Sequence, residues 1–239
     1  MEKRGIGHIE VILSFILFIG AIGFAVYYFV PEGARYGSIS EERALEVIIQ
    51  NVSSELISYS VYVNGGVGGM GAKLGISIPS VEVPNNFNAI VTNLSGANKM
   101  EIAKTSGGVC VQRNPANWPS RDFLYIKLSE DFISSSNLDC NDYNPVYYQI
   151  VSRDSEKIAS EKRLLRLNQS YYLNYDKLKE NIGIKSNNDF AFSFAFTNGQ
   201  KIEAQKEIPS GLDVYSVNKK IKIIRNNGIE YGDLTVRIW

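Results

Sequence analysis

Residues that could perform chemistry are few in this chain of 239 residues. Its single histidine, His8, stands near the N-terminus, apart from the remaining polar sequence. Because Ser-His-Asp and Cys-His nucleophilic sites need an imidazole, we expect none in the rest of the chain, and no histidine-built metal centre. The two cysteines, Cys110 and Cys140, have 29 residues between them and do not by themselves make a zinc site, which needs about four ligands. The sequence therefore predicts no catalytic residue, no cofactor and no metal ion.

Two other stretches resemble functional motifs only in composition. Residues 65–73, GGVGGMGAK, lack the Gly-Lys-Ser/Thr ending of a P-loop, so we interpret them as a flexible hairpin connection. Residues 139–142, DCND, offer oxygen ligands for calcium without the spacing of an EF-hand. Glycoside hydrolysis by two carboxylates stays open, because no particular pair stands out. Four tyrosines fit either a sugar-binding patch or half-buried strands, and we favour the strands: Tyr147, Tyr148, Tyr171 and Tyr172.

The N-terminal segment is the most informative part of the sequence. Two cations precede Gly5, and an uncharged run over residues 11–30 follows Glu10. At about 1.5 Å per residue this run makes a helix of about 30 Å, the thickness of the hydrocarbon core of a bilayer. The sequence therefore predicts a transmembrane helix over residues 6–30. By the positive-inside rule we expect a single-pass protein, with its N-terminus in the cytoplasm and its C-terminal domain outside the cell.

Residues 3–10, KRGIGHIE, resemble the class III signal of type IV prepilins. In that family a short basic leader is removed after a small residue, and a glutamate is the fifth residue of the mature chain. The resemblance implies cleavage by a prepilin-peptidase-like enzyme between Gly5 and Ile6, which would make Glu10 the fifth residue. It also implies assembly with other pilin-like subunits, in which the Glu10 carboxylate pairs with the α-amino group of a neighbouring Ile6. The implied function is that of a pilin-like filament subunit or a minor component of the assembly machine.

Other interpretations of this segment stay open. A cleaved secretory signal fits poorly, because its apolar region is only about 7–15 residues long and an Ala-x-Ala-like site is missing here. The alternative is an unprocessed single-pass anchor that presents a β-domain for adhesion or ligand binding. Within the resemblance, Gly7, His8 and Pro31 are more similar to archaeal pilin-like proteins than to bacterial ones.

The hydrophobic pattern of the remaining chain changes once. Ser38 and Glu41 form a capping-box pattern, and apolar residues then recur at helical spacing, which predicts an amphipathic juxtamembrane helix within residues 31–55. From residue 56 the period becomes two, with four phenylalanines at alternate positions over 190–196 as the clearest strand. Further strands are predicted at 56–63, 88–92, 100–103, 109–112, 123–128, 146–151, 200–208, 219–224 and 229–239.

Turn residues complete the predicted architecture. Asn198-Gly199 and Asn227-Gly228 predict two hairpins, and only one later helix is expected, near residues 175–182. We divide the chain into a leader (1–5), a transmembrane and assembly helix (6–30), the juxtamembrane helix (31–55) and a β-rich domain (56–239). The predicted fold class is α+β, an N-terminal transmembrane helix followed by a β-rich, sandwich-like extracytoplasmic domain.

Composition limits the partners. Lys plus Arg and Asp plus Glu both number 25, so no basic face is implied and nucleic acid is not an expected partner. Because both cysteines fall in the predicted outer domain, we expect a Cys110–Cys140 disulfide, with two separate thiols as the alternative. Three Asn-x-Ser sequons permit glycosylation without requiring it: Asn51, Asn93 and Asn168.

We predict that the mature chain begins at Ile6, because the basic leader, the small residue and the spacing to Glu10 all fit the prepilin pattern. Mass spectrometry of the purified protein should then find Ile6 as the N-terminal residue. An intact 1–5 segment in cells that contain the peptidase would contradict this prediction.

Overall fold

The fold comes from a computed structural model that describes residues 6–29, 32–64, 73–78, 86–93, 102–105, 108–112, 122–133, 138, 140, 143–225 and 228–239. The described part of the chain is mostly β, with eleven strands and four α-helices. The α-helices of the described part are α1 (Ile6–Phe29), α2 (Glu32–Val52), α3 (Glu161–Leu173) and α4 (Tyr175–Ile182). Its strands are β1 (Ser53–Val63), β2 (Lys73–Ser77), β3 (Asn88–Asn93), β4 (Ile102–Thr105), β5 (Gly108–Gln112), β6 (Asp122–Ser129), β7 (Tyr148–Ser160), β8 (Phe190–Phe196), β9 (Lys201–Ala204), β10 (Tyr215–Arg225) and β11 (Gly228–Ile238).

The strands form two sheets. The larger has eight strands in the order β3-β6-β1-β7-β10-β11-β8-β9, and the smaller has three in the order β2-β5-β4. All neighbours in both sheets are antiparallel except β7 and β10, which are parallel and pair only through Ile223 with Ala159 and Ile224 with Ser160. All of β1 pairs antiparallel with β7, and β10 pairs antiparallel with β11. The short β7–β10 contact therefore joins two antiparallel halves into one sheet.

One face of the eight-stranded sheet carries both large apolar clusters. Ile57 pairs with Ser155, which lies four residues before Ala159 and so points to the same side of β7. Ile57 belongs to the cluster between β3-β6-β1 and the three-stranded sheet, whereas Ala159 belongs to the cluster beneath the helices. The three-stranded sheet therefore covers one half of this face, as in a sandwich, and helices α2, α3 and α4 cover the other half.

The helical half of the core is built on the phenylalanine strand. The side chains of Phe190, Phe192, Phe194 and Phe196 are at most 5% exposed, so the prediction of a core-facing stripe is confirmed. β8 turns into β9 at Asn198 and Gly199, where Gly199 has a φ of 83°, which favours glycine. The first predicted hairpin is therefore confirmed, while Asn227 of the second lies outside the described residues.

Two helices follow β7, although the sequence analysis expected one. The predicted helix near 175–182 is α4, which ends at Gly183 with a φ of 81°. The additional helix α3 begins after Ser160, whose side chain accepts a hydrogen bond from the Arg163 backbone N–H. Its buried residues, Leu164, Leu167 and Tyr171, have helical spacing. The prediction of a single later helix was wrong because this pattern follows β7 without a turn residue between them.

The predicted fold class needs correction. The chain is mostly β, and among the residues that the structure describes no helix has the length and apolar character needed to cross a membrane. The predicted transmembrane helix over 6–30 is therefore wrong, and so is the localisation as a single-pass membrane protein with an extracellular domain.

Two other expectations about local structure also change. The capping-box pattern of Ser38 and Glu41 does not mark a helix start, because α2 begins at Glu32 and continues through both residues. The strand β2 was not predicted, since its sequence, KLGIS, directly follows the glycine-rich stretch. Residues 65–72 of that stretch lie outside the described residues.

We predict that Gly232→Ala destabilises the domain. A Cβ atom there would clash with the Phe194 ring and lie 2.7 Å from the carbonyl oxygen of Ala195. Such overpacking costs about 1–3 kcal/mol, which should lower the thermal unfolding midpoint by several degrees. The control is Gly20→Ala in α1, where the added methyl meets no atom of another element within 4 Å; since alanine also favours a helix over glycine, it should not lower the midpoint. Equal midpoints for the two variants would refute this account of the strand.

Candidate functional site

The described part of α1 presents apolar side chains in every direction. Ten of them are between 45% and 68% exposed. Because a helix has 3.6 residues per turn, the consecutive positions 15–19 alone cover its full circumference. None of these residues belongs to a buried apolar cluster of the described chain. They are Val11, Ile12, Leu13, Phe15, Ile16, Leu17, Phe18, Ile19, Ile22 and Phe24.

Glu10 lies at the beginning of this apolar surface. It is exposed and is the first residue of α1 whose side chain the structure describes. Ile6 is the first residue of the helix, about 6 Å of helix axis before Glu10. Gly5 and the rest of the predicted leader lie outside the described residues. Cleavage after Gly5 therefore stays a prediction, as does the assembly role of Glu10.

The helix α2 connects α1 to the β-domain and packs on that domain. Ala44, Leu45, Ile48 and Val52 are at most 4% exposed and pack in the same cluster as the phenylalanine strand. Their spacing of one, three and four residues gives α2 one apolar stripe, which lies over β10 and β11. α2 then passes directly into β1, where the Ser53 hydroxyl donates a 2.5 Å hydrogen bond to the Ile49 carbonyl oxygen.

Glu41 is an exception in that stripe. It precedes Leu45 by one helical turn and is only 2% exposed. Among the described residues, neither carboxylate oxygen has a hydrogen-bond partner. Burial raises the pKa of Glu41 above its ordinary value, its own backbone amide opposes that rise, and the charge of Glu42 adds to it. Sequence reasoning missed this burial, although the 41, 45, 48, 52 spacing indicated that Glu41 shares the apolar face.

The two cysteines are joined. Cys110 on β5 and Cys140 in the segment before β7 are disulfide-bonded, with Cα atoms 5.5 Å apart. Both residues are buried, Cys110 within the three-stranded sheet. The predicted pairing is confirmed, and the bond ties the chain at Cys140 to the smaller sheet.

The three sequons are placed differently. Asn51 is exposed in the last turn of α2, but the hydroxyl of Ser53, the third residue of its sequon, is bonded to Ile49. The side-chain amide of Asn168 donates a 2.8 Å hydrogen bond to the Glu203 carbonyl oxygen and so connects α3 to β9. Asn93 ends β3, and its serine lies outside the described residues. In the folded chain the Asn168 amide is thus already used for structure.

The tyrosines do not form one surface patch. Tyr171 is buried, and its hydroxyl donates to the Phe190 carbonyl oxygen at 2.5 Å. The Tyr175 hydroxyl donates to Asp189 at 2.8 Å, and burial raises the pKa of both phenols above their ordinary value. Tyr148 accepts a hydrogen bond from the Ser77 backbone N–H, whereas Tyr172 is 61% exposed. Tyr171 and Tyr175 therefore fix the α3–α4 junction against β8.

A surface hollow of about 340 Å³ lies beside the beginning of α3. Its charged wall consists largely of ion pairs, with Arg225 Nε 3.1 Å from Glu161 and Arg163 Nε 3.3 Å from Asp131. No group of three or more His, Cys, Asp or Glu side chains that could hold a metal ion is found in the described part of the chain. These charges stabilise the junction of β7, α3 and β10, and Lys162 and Arg166 add two further cations to the lining of the hollow.

Comparison with known proteins gives no match: no protein-family model, curated protein or solved structure is similar to this chain.

We predict that removing the disulfide destabilises the smaller sheet. The bond closes a loop of 30 residues, which in the chain-entropy model corresponds to about 3–4 kcal/mol. Cys110→Ala combined with Cys140→Ala should therefore lower the free energy of unfolding, measured by denaturant titration, by about that amount. The reduced parent is the matched control and should behave like the double variant. Recovery of both residues as free thiols in non-reducing peptide maps would contradict the bond.

Proposed function

We propose that this chain is a type IV pilin-like subunit, which polymerises through α1 into a filament or serves as a minor component of the machine that assembles one. The observation that carries the proposal is the apolar surface of α1. A helix that is apolar on all sides has to be buried against something, and the described β-domain does not cover this one. Other helices of the same kind supply a matching apolar cover.

The magnitude of the burial favours several neighbours over one. Complete burial of a large apolar side chain is worth about 1.5–3 kcal/mol. Because the ten side chains of α1 are 45% to 68% exposed, only about half of this gain remains for each. Together they represent on the order of 10–20 kcal/mol. Association costs roughly 4–15 kcal/mol, and a single partner helix covers only one side of α1. A pair of subunits is therefore marginal, whereas a bundle in which α1 is surrounded on all sides gains the whole amount.

Glu10 supports the same proposal through its position. In a helix bundle its carboxylate would be removed from water, which is costly unless a cation accompanies it. The N-terminal sequence resembles that of prepilins, in which processing creates a free α-amino group at the residue corresponding to Ile6. In the assembled state this ammonium group of one subunit neutralises Glu10 of its neighbour.

The proposal is tested by Glu10→Val. Without the carboxylate, the ammonium group of the neighbouring subunit is buried unpaired, which costs about 3–5 kcal/mol. We expect the amount of the variant in sheared filaments to fall at least tenfold, while the N-terminus and the unfolding midpoint of the β-domain stay unchanged. The readouts are immunoblots of the sheared fraction, mass spectrometry and calorimetry.

The matched control is Glu46→Val, which removes an exposed glutamate from α2 and should leave assembly intact. A Glu10→Val chain that assembles as well as the parent would contradict the assigned role of Glu10. Parent protein that is found only as monomers, with the complete leader, would contradict the pilin-like function itself.

A further inference from the structure

Glu41 lies where the docked part of α2 begins. Towards the C-terminus, the same face of the helix continues with Leu45, Ile48 and Val52, all buried on the sheet. The preceding part of α2 leads back to α1. Among the residues of α2 whose side chains the structure describes, Glu41 is the buried one nearest to α1. It is also a buried carboxylate whose two oxygens have no hydrogen-bond partner among the described residues.

In the described part of the chain, the elements packed against α2 place no cation against the Glu41 carboxylate. They are β7, β10, β11, α3 and α4. By strand register and helix packing, the ionisable residues that these elements carry on the α2 side are Arg153, Lys157, Arg163, Tyr171, Tyr175, Lys179, Tyr215, Lys219, Arg225 and Glu230. Arg163 binds Glu130 and Asp131, Arg225 binds Glu161 and Glu230, and Lys179 binds Asp189. Among the described residues none donates a hydrogen bond to either carboxylate oxygen of Glu41, and the charge of Glu42 repels that carboxylate.

We propose that the protonation of Glu41 controls how firmly α2 is docked on the eight-stranded sheet. The protonated carboxyl group is neutral and fits the apolar contact, whereas the ionised group gains hydration when this end of α2 leaves the sheet. As a consequence, α2, which connects α1 to the β-domain, is docked firmly on the sheet in acid and less firmly at neutral pH. This inference does not depend on the proposed function.

The direction follows from proton linkage. Docking raises the pKa of Glu41, so the docked state holds its proton to a higher pH than the undocked state, whose carboxyl has its ordinary value near 4.5. Docking is therefore strongest below about pH 4.5. It weakens as the pH rises towards the raised pKa of the docked state and becomes independent of Glu41 above it.

The opening is expected to be local. The phenylalanine strand and the buried residues of α3 and α4 keep their own contacts when the beginning of the α2 stripe leaves the sheet. Segments that open locally lose amide protection while the central strands keep theirs. Exchange in residues 41–52, compared with exchange in β8, therefore distinguishes undocking of α2 from unfolding of the whole domain.

The experiment is hydrogen exchange by mass spectrometry on the full chain between pH 4 and 8, with correction for the intrinsic pH dependence of exchange. We expect residues 41–52 of the parent to lose protection as the pH rises over this range, while protection of β8 stays constant. Glu41→Gln, which keeps the shape without the charge, should remain protected at both pH values. Glu46→Gln, an exposed position on the same helix, should behave like the parent.

Each other outcome overturns the proposal. If Glu41→Gln keeps the pH dependence of the parent, another group is responsible. If β8 loses protection together with α2, Glu41 affects global stability and not the docking of α2. If protection in the parent does not change with pH, the carboxyl does not control docking. Glu41→Leu provides a second test should the glutamine variant fold poorly, because its apolar side chain should hold α2 on the sheet at every pH.

Discussion

The structure depends on covering one apolar face of an eight-stranded sheet. That face is continuous from β3 to β9, because the short parallel contact between β7 and β10 joins its two halves. One half is closed by a second sheet and the other by three helices. The helical half carries the four phenylalanines, each of which has about 150–250 Å² to bury. A layer of helices, about 10 Å thick, supplies enough apolar surface for them.

This constraint gives α2 two roles. It is part of the cover of the phenylalanine strand, through Ala44, Leu45, Ile48 and Val52, and it is also the connection to α1. Because α2 belongs to this cover and also leads to α1, the attachment of α1 to the β-domain depends on how firmly α2 is docked.

Local patterns in the sequence predicted local structure well. The alternation over 190–196, the Asn198-Gly199 turn and the end of α4 at Gly183 all depend on neighbouring residues and are confirmed. The β7–β10 contact joins residues 64 positions apart, and no local pattern marks it. Hydropathy alone also misled, since the apolar run over 11–30 was interpreted as a membrane span, whereas no described helix meets that requirement.

Of the two carboxylates, Glu10 and Glu41, the sequence indicated one and missed the other. Glu10 could be singled out from sequence because a lone carboxylate before an uncharged run is conspicuous. Glu41 could not, because glutamates at the border of an amphipathic helix usually face water, and only the sheet beneath α2 shows that this one does not. Both carboxylates begin an apolar helix face, and desolvation is costly for each. They differ in what covers them, since Glu41 is buried by its own chain whereas Glu10 is exposed. The charge at position 41 therefore opposes docking of α2. In the assembly that we propose, burial of the charge at position 10 requires the ammonium group of a neighbouring subunit.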